Sequence, residues 1–371
     1  MKRKRSLWLC AVVLAAAAGW LPAQGKDAAA VLREIFPIPA MTGNEELLAE
    51  KIKGLLPQGL TFDRDNLGSL YVKIGPGAPA LAVLAPMDEF GYVVSGITAE
   101  GYLTVDRPAP LPVPIYDSFL LGHPVILSTR KGLRHGIVVQ PSMHVLTKER
   151  REQLSNSLTL DMIFIDVGAR SEAEVRAKGF EILDPVTPWP DLLALANGRL
   201  AGPGLGRKAA CAALAAAASD LALEKPTAEG MLVWMAQTRL AARGARAPLG
   251  AVRARNKISP KAVVLLDALA ADRGEKGPVL GGGPILVTAK EGPSAVKEAV
   301  EASAREKGLA LQSFVGLESS ALAAFAAAGT DAVVLALPVK FAGTPSEVIE
   351  AKDVQAVADL VAAVVKSGRI R

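Results

Sequence analysis

Two neighbouring acids, Asp88 and Glu89, directly follow a short apolar segment of the chain. The run Leu81–Ala85 reads L-A-V-L-A, and its length and composition are typical of a strand buried on both faces, as in a parallel sheet. Open α/β sheets bind their ligands in the crevice beyond the carboxyl ends of their strands. We therefore expect the two carboxylates to lie at a binding crevice, where such groups can hold a metal ion or move a proton.

The stretch around these acids resembles a signature of metallopeptidase family forty-two, the tetrahedral co-catalytic aminopeptidases that include glutamyl aminopeptidases and endoglucanase-like relatives. The family motif at this point is H-M-D-E-x-G-F/Y, and this chain reads P-M-D-E-F-G-Y. Five positions match the motif: Met87, Asp88, Glu89, Gly91 and Tyr92. The sixth does not, because Pro86 stands where the family has a metal-binding histidine.

Helical and strand-like runs alternate on both sides of a β-rich middle segment with many Gly and Pro turns. This pattern predicts an α/β fold, with a mostly parallel sheet flanked by helices and an inserted small β-barrel-like domain at residues 89–185. The sheet domain then consists of residues 26–88 and 186–371. The resemblance implies the same insert, which the family uses for subunit contacts, so we expect a homo-oligomer.

Polar residues predict the start of one helix. Thr42 followed by Glu45 and Glu46 resembles a capping box, in which side chains bond to the free N–H groups of the first helical turn. The apolar spacing then predicts a helix over Glu45–Leu56.

The resemblance also implies where two metal ions, zinc or cobalt, would bind, together with a carboxylate that acts as general base. Most matching positions cannot do this chemistry, since the remnants of the site are two aspartates, Asp88 and Asp267. The degenerate positions are Pro86, Leu205, Thr238 (in place of the base), Arg239 and Gly343. All three histidines, His123, His135 and His144, fall in the predicted insert. We therefore expect no catalytic residue, no metal site and no cofactor.

A buried carboxylate that has lost its metal must take a proton or gain a basic partner. We predict a guanidinium within about 4 Å of Asp88 or Asp267, as an ion pair in the former metal volume. Arg239 is the base that the matching register supplies, and Arg207 is the second choice.

The N-terminus predicts export. Residues 1–25 combine Lys2–Arg5, an apolar run over Leu7–Leu21 and a small-residue cleavage site, the pattern of a secretory signal peptide. Because four of the basic residues behind the net charge of +5 lie in this segment, the remaining chain is near +1, and we expect no nucleic-acid partner. After cleavage we expect no membrane association, and Cys211 is left without a cysteine to pair with.

These observations favour an exported pseudo-peptidase that keeps the scaffold for a binding or assembly role, with peptide as a possible partner. Two alternatives stay open. One is an active metallo-aminopeptidase with a rebuilt zinc or cobalt site. The other is an anion- or sugar-binding module that uses the glycine-rich run Gly202–Lys208 at the start of a helix.

Overall fold

The computed structural model describes residues 26–156, 158–224, 229–240, 260–271, 274, 277–288, 293–316, 325 and 328–370. The predicted signal peptide, residues 1–25, lies outside these described residues. Among them, no helix combines the length and hydropathy that crossing a bilayer requires.

Helices and strands alternate before and after a long β-rich segment. The described α-helices are α1 (Ala28–Ile35), α2 (Glu46–Leu55), α3 (Lys148–Asn156), α4 (Glu172–Lys178), α5 (Leu205–Glu224), α6 (Ala295–Lys307) and α7 (Ala351–Ser367). The described strands are β1 (Phe62–Arg64), β2 (Leu70–Ile74), β3 (Leu81–Pro86), β4 (Tyr92–Ile97), β5 (Tyr102–Asp106), β6 (Pro124–Thr129), β7 (Gly132–Val139), β8 (Phe164–Asp166), β9 (Pro185–Pro188), β10 (Leu193–Ala194), β11 (Arg199–Gly202), β12 (Gly230–Met235), β13 (Ala262–Ala270), β14 (Ile285–Thr288), β15 (Gln312–Val315), β16 (Asp331–Val339) and β17 (Glu347–Glu350).

An eight-stranded sheet forms the body of the molecule, in the order β1-β2-β12-β3-β13-β16-β14-β15. Its centre consists of four parallel strands, β12, β3, β13 and β16, and the antiparallel strands β2 and β14 flank them. The predicted strand lies in β3, inside this parallel group, and all of its residues are buried. The predicted mostly parallel sheet is therefore confirmed.

Helices cover the sheet because its central strands are apolar on both faces. On one face, Val83 and Trp234 belong to a core that includes residues of α1, α5 and α7. On the other face, Leu84 and Met235 belong to a second core. Helix α5 is buried along most of its length, since its alanine-rich sequence carries few long side chains. It follows β11 and starts at the carboxyl edge of the parallel strands.

A closed six-stranded barrel, in the order β4-β5-β8-β7-β6-β9, follows β3 in the chain. Apolar side chains such as Val94, Leu103 and Leu127 fill its interior. The barrel confirms the predicted insert. Its last strand, β9, extends three residues past the predicted boundary at residue 185.

Helix α2 begins at Glu46, but the predicted capping box is wrong. Glu45 makes no side-chain cap bond, and the Thr42 hydroxyl is buried without a hydrogen-bond partner among the described residues. Glu45 Oε1 instead accepts hydrogen bonds from the N–H groups of Gly43 at 3.0 Å and Gln237 at 2.7 Å. The contact with Gln237 is tertiary, so no local pattern could have specified it.

Candidate functional site

The predicted site residues meet at the carboxyl edge of the parallel strands. Asp88 follows the end of β3, Thr238 and Arg239 follow the end of β12, and Asp267 lies in β13. The third residue of α5, Arg207, enters the same volume from the helix side. The strands and α5 therefore bring together side chains that are far apart in sequence.

Arg207 forms the centre of this cluster. Its Nη1 lies 3.0 Å from Asp88 Oδ1, and its Nε lies 3.7 Å from Asp267 Oδ1. The same Nη1 donates a hydrogen bond to the Thr238 hydroxyl oxygen at 2.8 Å. Burial opposes the charged form of Arg207, but the carboxylates of Asp267 and Asp88 outweigh it and raise its pKa above the ordinary value. One guanidinium thus bridges the two aspartates.

Asp88 is fully buried and satisfied by three kinds of donor. Besides the Arg207 guanidinium, the Thr238 hydroxyl donates to Oδ1 and the backbone N–H of Arg239 donates to Oδ2 at 2.8 Å. These donors satisfy the hydrogen-bonding capacity of the buried carboxylate within the described part of the chain.

The side chain of Arg239 does not form the predicted ion pair. Its guanidinium makes no salt bridge with a described residue, and its Nε is buried without a hydrogen-bond partner among them. The backbone N–H of Arg239 contacts Asp88, and the residue lines a cleft together with Phe90 and Tyr116. Burial, and then the charge of Arg207, lower the pKa of Arg239 to about 10, so the group is protonated at neutral pH. The second choice, Arg207, makes the ion pair instead.

The remaining degenerate positions offer no metal ligand. Pro86 is buried at the end of β3, where its carbonyl oxygen accepts a contact from the Cys211 thiol at 3.1 Å. Leu205 is fully buried at the start of α5. Gly343 has a φ of +78°, and a Cβ added there would lie 3.3 Å from Val113 Cγ1. A histidine at this glycine would therefore strain the backbone.

Glu347, at the start of β17, fixes the loop that holds Gly343. Its Oε2 accepts a hydrogen bond from Gly206 N–H and its Oε1 accepts one from Gly343 N–H, both at 2.8 Å. Burial raises the pKa of this carboxyl. The bond to Gly206 places the carboxylate at the N-terminus of α5, where the helix dipole favours a negative charge.

The glycine-rich run Gly202–Lys208 has little capacity left for an anion. Lys208 is buried, and its Nζ donates to the carbonyl oxygens of Phe36, at 2.9 Å, and Ile38. The same Nζ lies 3.5 Å from Glu89 Oε2. Since Arg207 and the Gly206 N–H are also engaged, the structure gives the anion- or sugar-binding alternative at this loop no support.

A narrow cleft opens between the sheet and the barrel. The Arg239 guanidinium and Gly343 line its sheet side, and Phe90 and Tyr116 line its barrel side. The cleft is partly open and small, with a volume of about 20 Å³. Only the end group of a larger ligand would therefore enter it.

The sequence of this scaffold also matches a family model. Residues 68–360, well over half of the chain, match the model of M42 glutamyl aminopeptidase. The chain belongs to this family. Lysyl aminopeptidase of Pyrococcus furiosus is 25% identical over 339 residues, which are 87% of this chain and 92% of that enzyme. FrvX of Escherichia coli strain K12 is 28% identical over 189 residues, and this match spans only 51% of FrvX.

Solved structures share the fold. The Pyrococcus horikoshii TET1 peptidase, which can assemble into a tetrahedron or a large octahedral shell, superposes with a TM-score of 0.79 at 23% identity. The superposition covers 91% of this chain and 99% of that one. A TET aminopeptidase from Thaumarchaeota archaeon SCGC AB-539-E09 superposes with a TM-score of 0.78 at 23% identity and covers 91% of this chain and 96% of that one.

The residues at this M42 site do not fit a pair of divalent ions. Metal pairs need several histidine and carboxylate ligands directed at one point, and the described residues contain no group of three or more His, Cys, Asp or Glu side chains that could hold a metal. The two aspartates that could contribute already share a guanidinium. The donor set fits an internal cation instead.

The contacts of four buried charged residues of the site were not predicted: Glu45, Glu89, Lys208 and Glu347. Glu89 was expected at the crevice, but not the hydrogen bond that its Oε1 accepts from the Ala40 N–H at 2.7 Å. All four are charged side chains in an otherwise apolar part of the fold, and this burial is not visible in the sequence. For Glu347 a signal exists, because it matches the glutamate that ends a motif of the family, R-Y-x-H-[ST]-x-x-E.

Proposed function

We propose that this M42 homologue has lost metal-dependent peptide hydrolysis and uses the retained cleft for binding. The observation that carries the proposal is the Arg207 guanidinium, in contact with both Asp88 and Asp267. It supplies the positive charge that the family obtains from metal ions. We accordingly propose that the protein carries neither zinc nor cobalt.

A guanidinium cannot replace the chemistry of a metal pair. It stays protonated at neutral pH, so it neither activates a water molecule as a base nor coordinates a substrate oxygen as a Lewis acid. It also opposes metal binding: a divalent ion about 4 Å from a unit positive charge is repelled by on the order of 8 kcal/mol at an effective dielectric constant of 20. The position of the general base holds Thr238, whose hydroxyl donates to Asp88.

The proposal also covers the ligand, the self-association and the location of the protein. We propose a peptide or peptide-like ligand, because the cleft keeps the place that the family uses for its substrate. Self-association is supported by the assemblies named for the TET1 structure. Export is proposed from the leader pattern at residues 1–25 alone.

Metal analysis of the purified protein tests this proposal directly. Mass spectrometry of the protein, after incubation with zinc or cobalt and desalting, should find substoichiometric metal. Aminoacyl-nitroanilides should not be turned over above the blank. Stoichiometric metal together with aminopeptidase activity would instead establish the alternative of a rebuilt active site.

A single substitution provides a second test of the proposal. Pro86→His restores one family ligand but leaves the Arg207 guanidinium between the two aspartates. We therefore expect no recovery of zinc binding by isothermal titration calorimetry. Recovery by this single change would contradict the proposed role of Arg207.

A further inference from the structure

The charged groups around the cleft are mostly paired with one another. Arg207 is shared by the two aspartates, and Lys208 lies 3.5 Å from Glu89. Glu347 receives hydrogen bonds from two backbone N–H groups. Among the cations of this cluster, only Arg239 lacks both a salt bridge and an acceptor for its guanidinium within the described part of the chain.

An unpaired guanidinium in a partly enclosed site has unused hydrogen-bonding capacity. Its N–H groups are donors only, so a ligand that satisfies them must bring acceptor oxygens. The planar guanidinium can donate two parallel hydrogen bonds to the two oxygens of one carboxylate. The unused N–H donors of Arg239 therefore require an acceptor, and a carboxylate matches their geometry best.

The rest of the lining narrows the ligand class. The carboxylates of Glu89 and Glu347 also line the cleft and repel a group with two negative charges, such as phosphate, more strongly than a group with one. Phe90, Pro112 and Tyr116 give the lining an apolar part. A single carboxylate on a short aliphatic or peptide chain suits this lining.

We infer that the cleft binds a monocarboxylate ligand through the Arg239 guanidinium. The carboxylate end group enters the cleft beside Arg239, and the attached chain contacts the apolar lining residues and the loop at Gly343. This inference names the ligand class of the proposed function and rests on the absence of the metal pair. The carboxylate can belong to a small free acid or to the C-terminus of a peptide.

Calorimetric titration of chelator-treated protein in a carboxylate-free buffer tests the inference. The probes are propionate, trialanine, the C-terminal amide of trialanine, and inorganic phosphate. We expect one or both carboxylates to bind, and the amide and phosphate to bind at least about tenfold more weakly. Equal affinities for propionate and trialanine indicate a free acid, whereas tighter binding of trialanine indicates a peptide C-terminus.

Variants locate the site. Arg239→Gln should weaken carboxylate binding by about tenfold or more, whereas Arg64→Gln, which breaks a surface pair with Glu50, should leave it unchanged. Binding of the amide as tight as that of the acid, or no loss in Arg239→Gln, would overturn the inference. So would the absence of binding by both carboxylates. The comparison of acid and amide on the unchanged protein stands even where a variant fails to fold.

These outcomes are separate from those of the proposed function. Stoichiometric metal with hydrolysis refutes the loss of activity. A metal-free protein that binds neither propionate nor trialanine refutes only the ligand class.

Discussion

Replacing Arg207 with methionine tests whether one guanidinium holds the site together. Removing one partner of a buried ion pair costs about 3–5 kcal/mol of unfolding free energy, because the other charge stays buried without compensation. Asp88 keeps the Thr238 hydroxyl and the Arg239 N–H as donors, and 23% of the Asp267 side chain is exposed. We therefore expect the low end of that range, about 3 kcal/mol.

Urea unfolding of the unchanged protein, Arg207→Met, Asp88→Asn and the double variant measures this coupling. An amide at position 88 needs no countercharge, so the double variant should be more stable than the summed single losses predict, by about 1–3 kcal/mol. Arg64→Met is the matched control, since its pairs with Glu46 and Glu50 lie on the surface and should cost less than about 1 kcal/mol. A loss under about 1 kcal/mol for Arg207→Met, or strictly additive losses, would refute the role of this guanidinium.

Three further outcomes follow from buried polar groups. Arg239→Met should raise the unfolding free energy by about 1 kcal/mol, because it removes a buried group without a described partner; a loss in urea unfolding would contradict this. Burial raises the pKa of Glu45 to about 7 from 4.5, so the folded state binds this proton more tightly than the unfolded chain. The resulting stabilisation, up to about 3 kcal/mol, is complete below pH 4.5 and is lost as the pH rises through about 7. Glu45→Gln should remove that slope in unfolding curves from pH 4.5 to 8, and an unchanged slope would disprove the assignment. Tyr92→Phe removes the phenol that donates to Asp117 Oδ1 at 2.6 Å and should cost about 1–2 kcal/mol in thermal unfolding; no change would mean that Arg107 alone satisfies Asp117.

The sequence predicted the fold because the relevant patterns are local. The apolar run before Asp88 has no polar residue that could face solvent, so it had to be a strand covered on both sides, and β3 is such a strand. The short strands and Gly–Pro turns of the insert likewise identify a β-rich unit without any long-range information. The resemblance to the family then joined these pieces into one scaffold.

The choice between two arginines could not be made in the same way. The register ranked Arg239 first, because it matches a metal-ligand position of the family motif, whereas Arg207 makes the ion pairs in the structure. Gln237 has a φ of +56°, and this turn after β12 points the backbone N–H of Arg239, rather than its side chain, at Asp88. Such a turn depends on tertiary contacts, including the bond from Gln237 N–H to Glu45, that no local pattern encodes.

The arginine bridge gives the proposed loss of metal binding a physical basis. Asp88 is fully buried, so its carboxylate requires a cation or several donors beside it. Arg207 meets this requirement from the first turn of α5. Because Asp88 and Asp267 both contact this guanidinium, neither aspartate is left unpaired to share a metal ion with a histidine at position 86. The proposed loss of metal binding and the pairing of the two aspartates would then have the same cause.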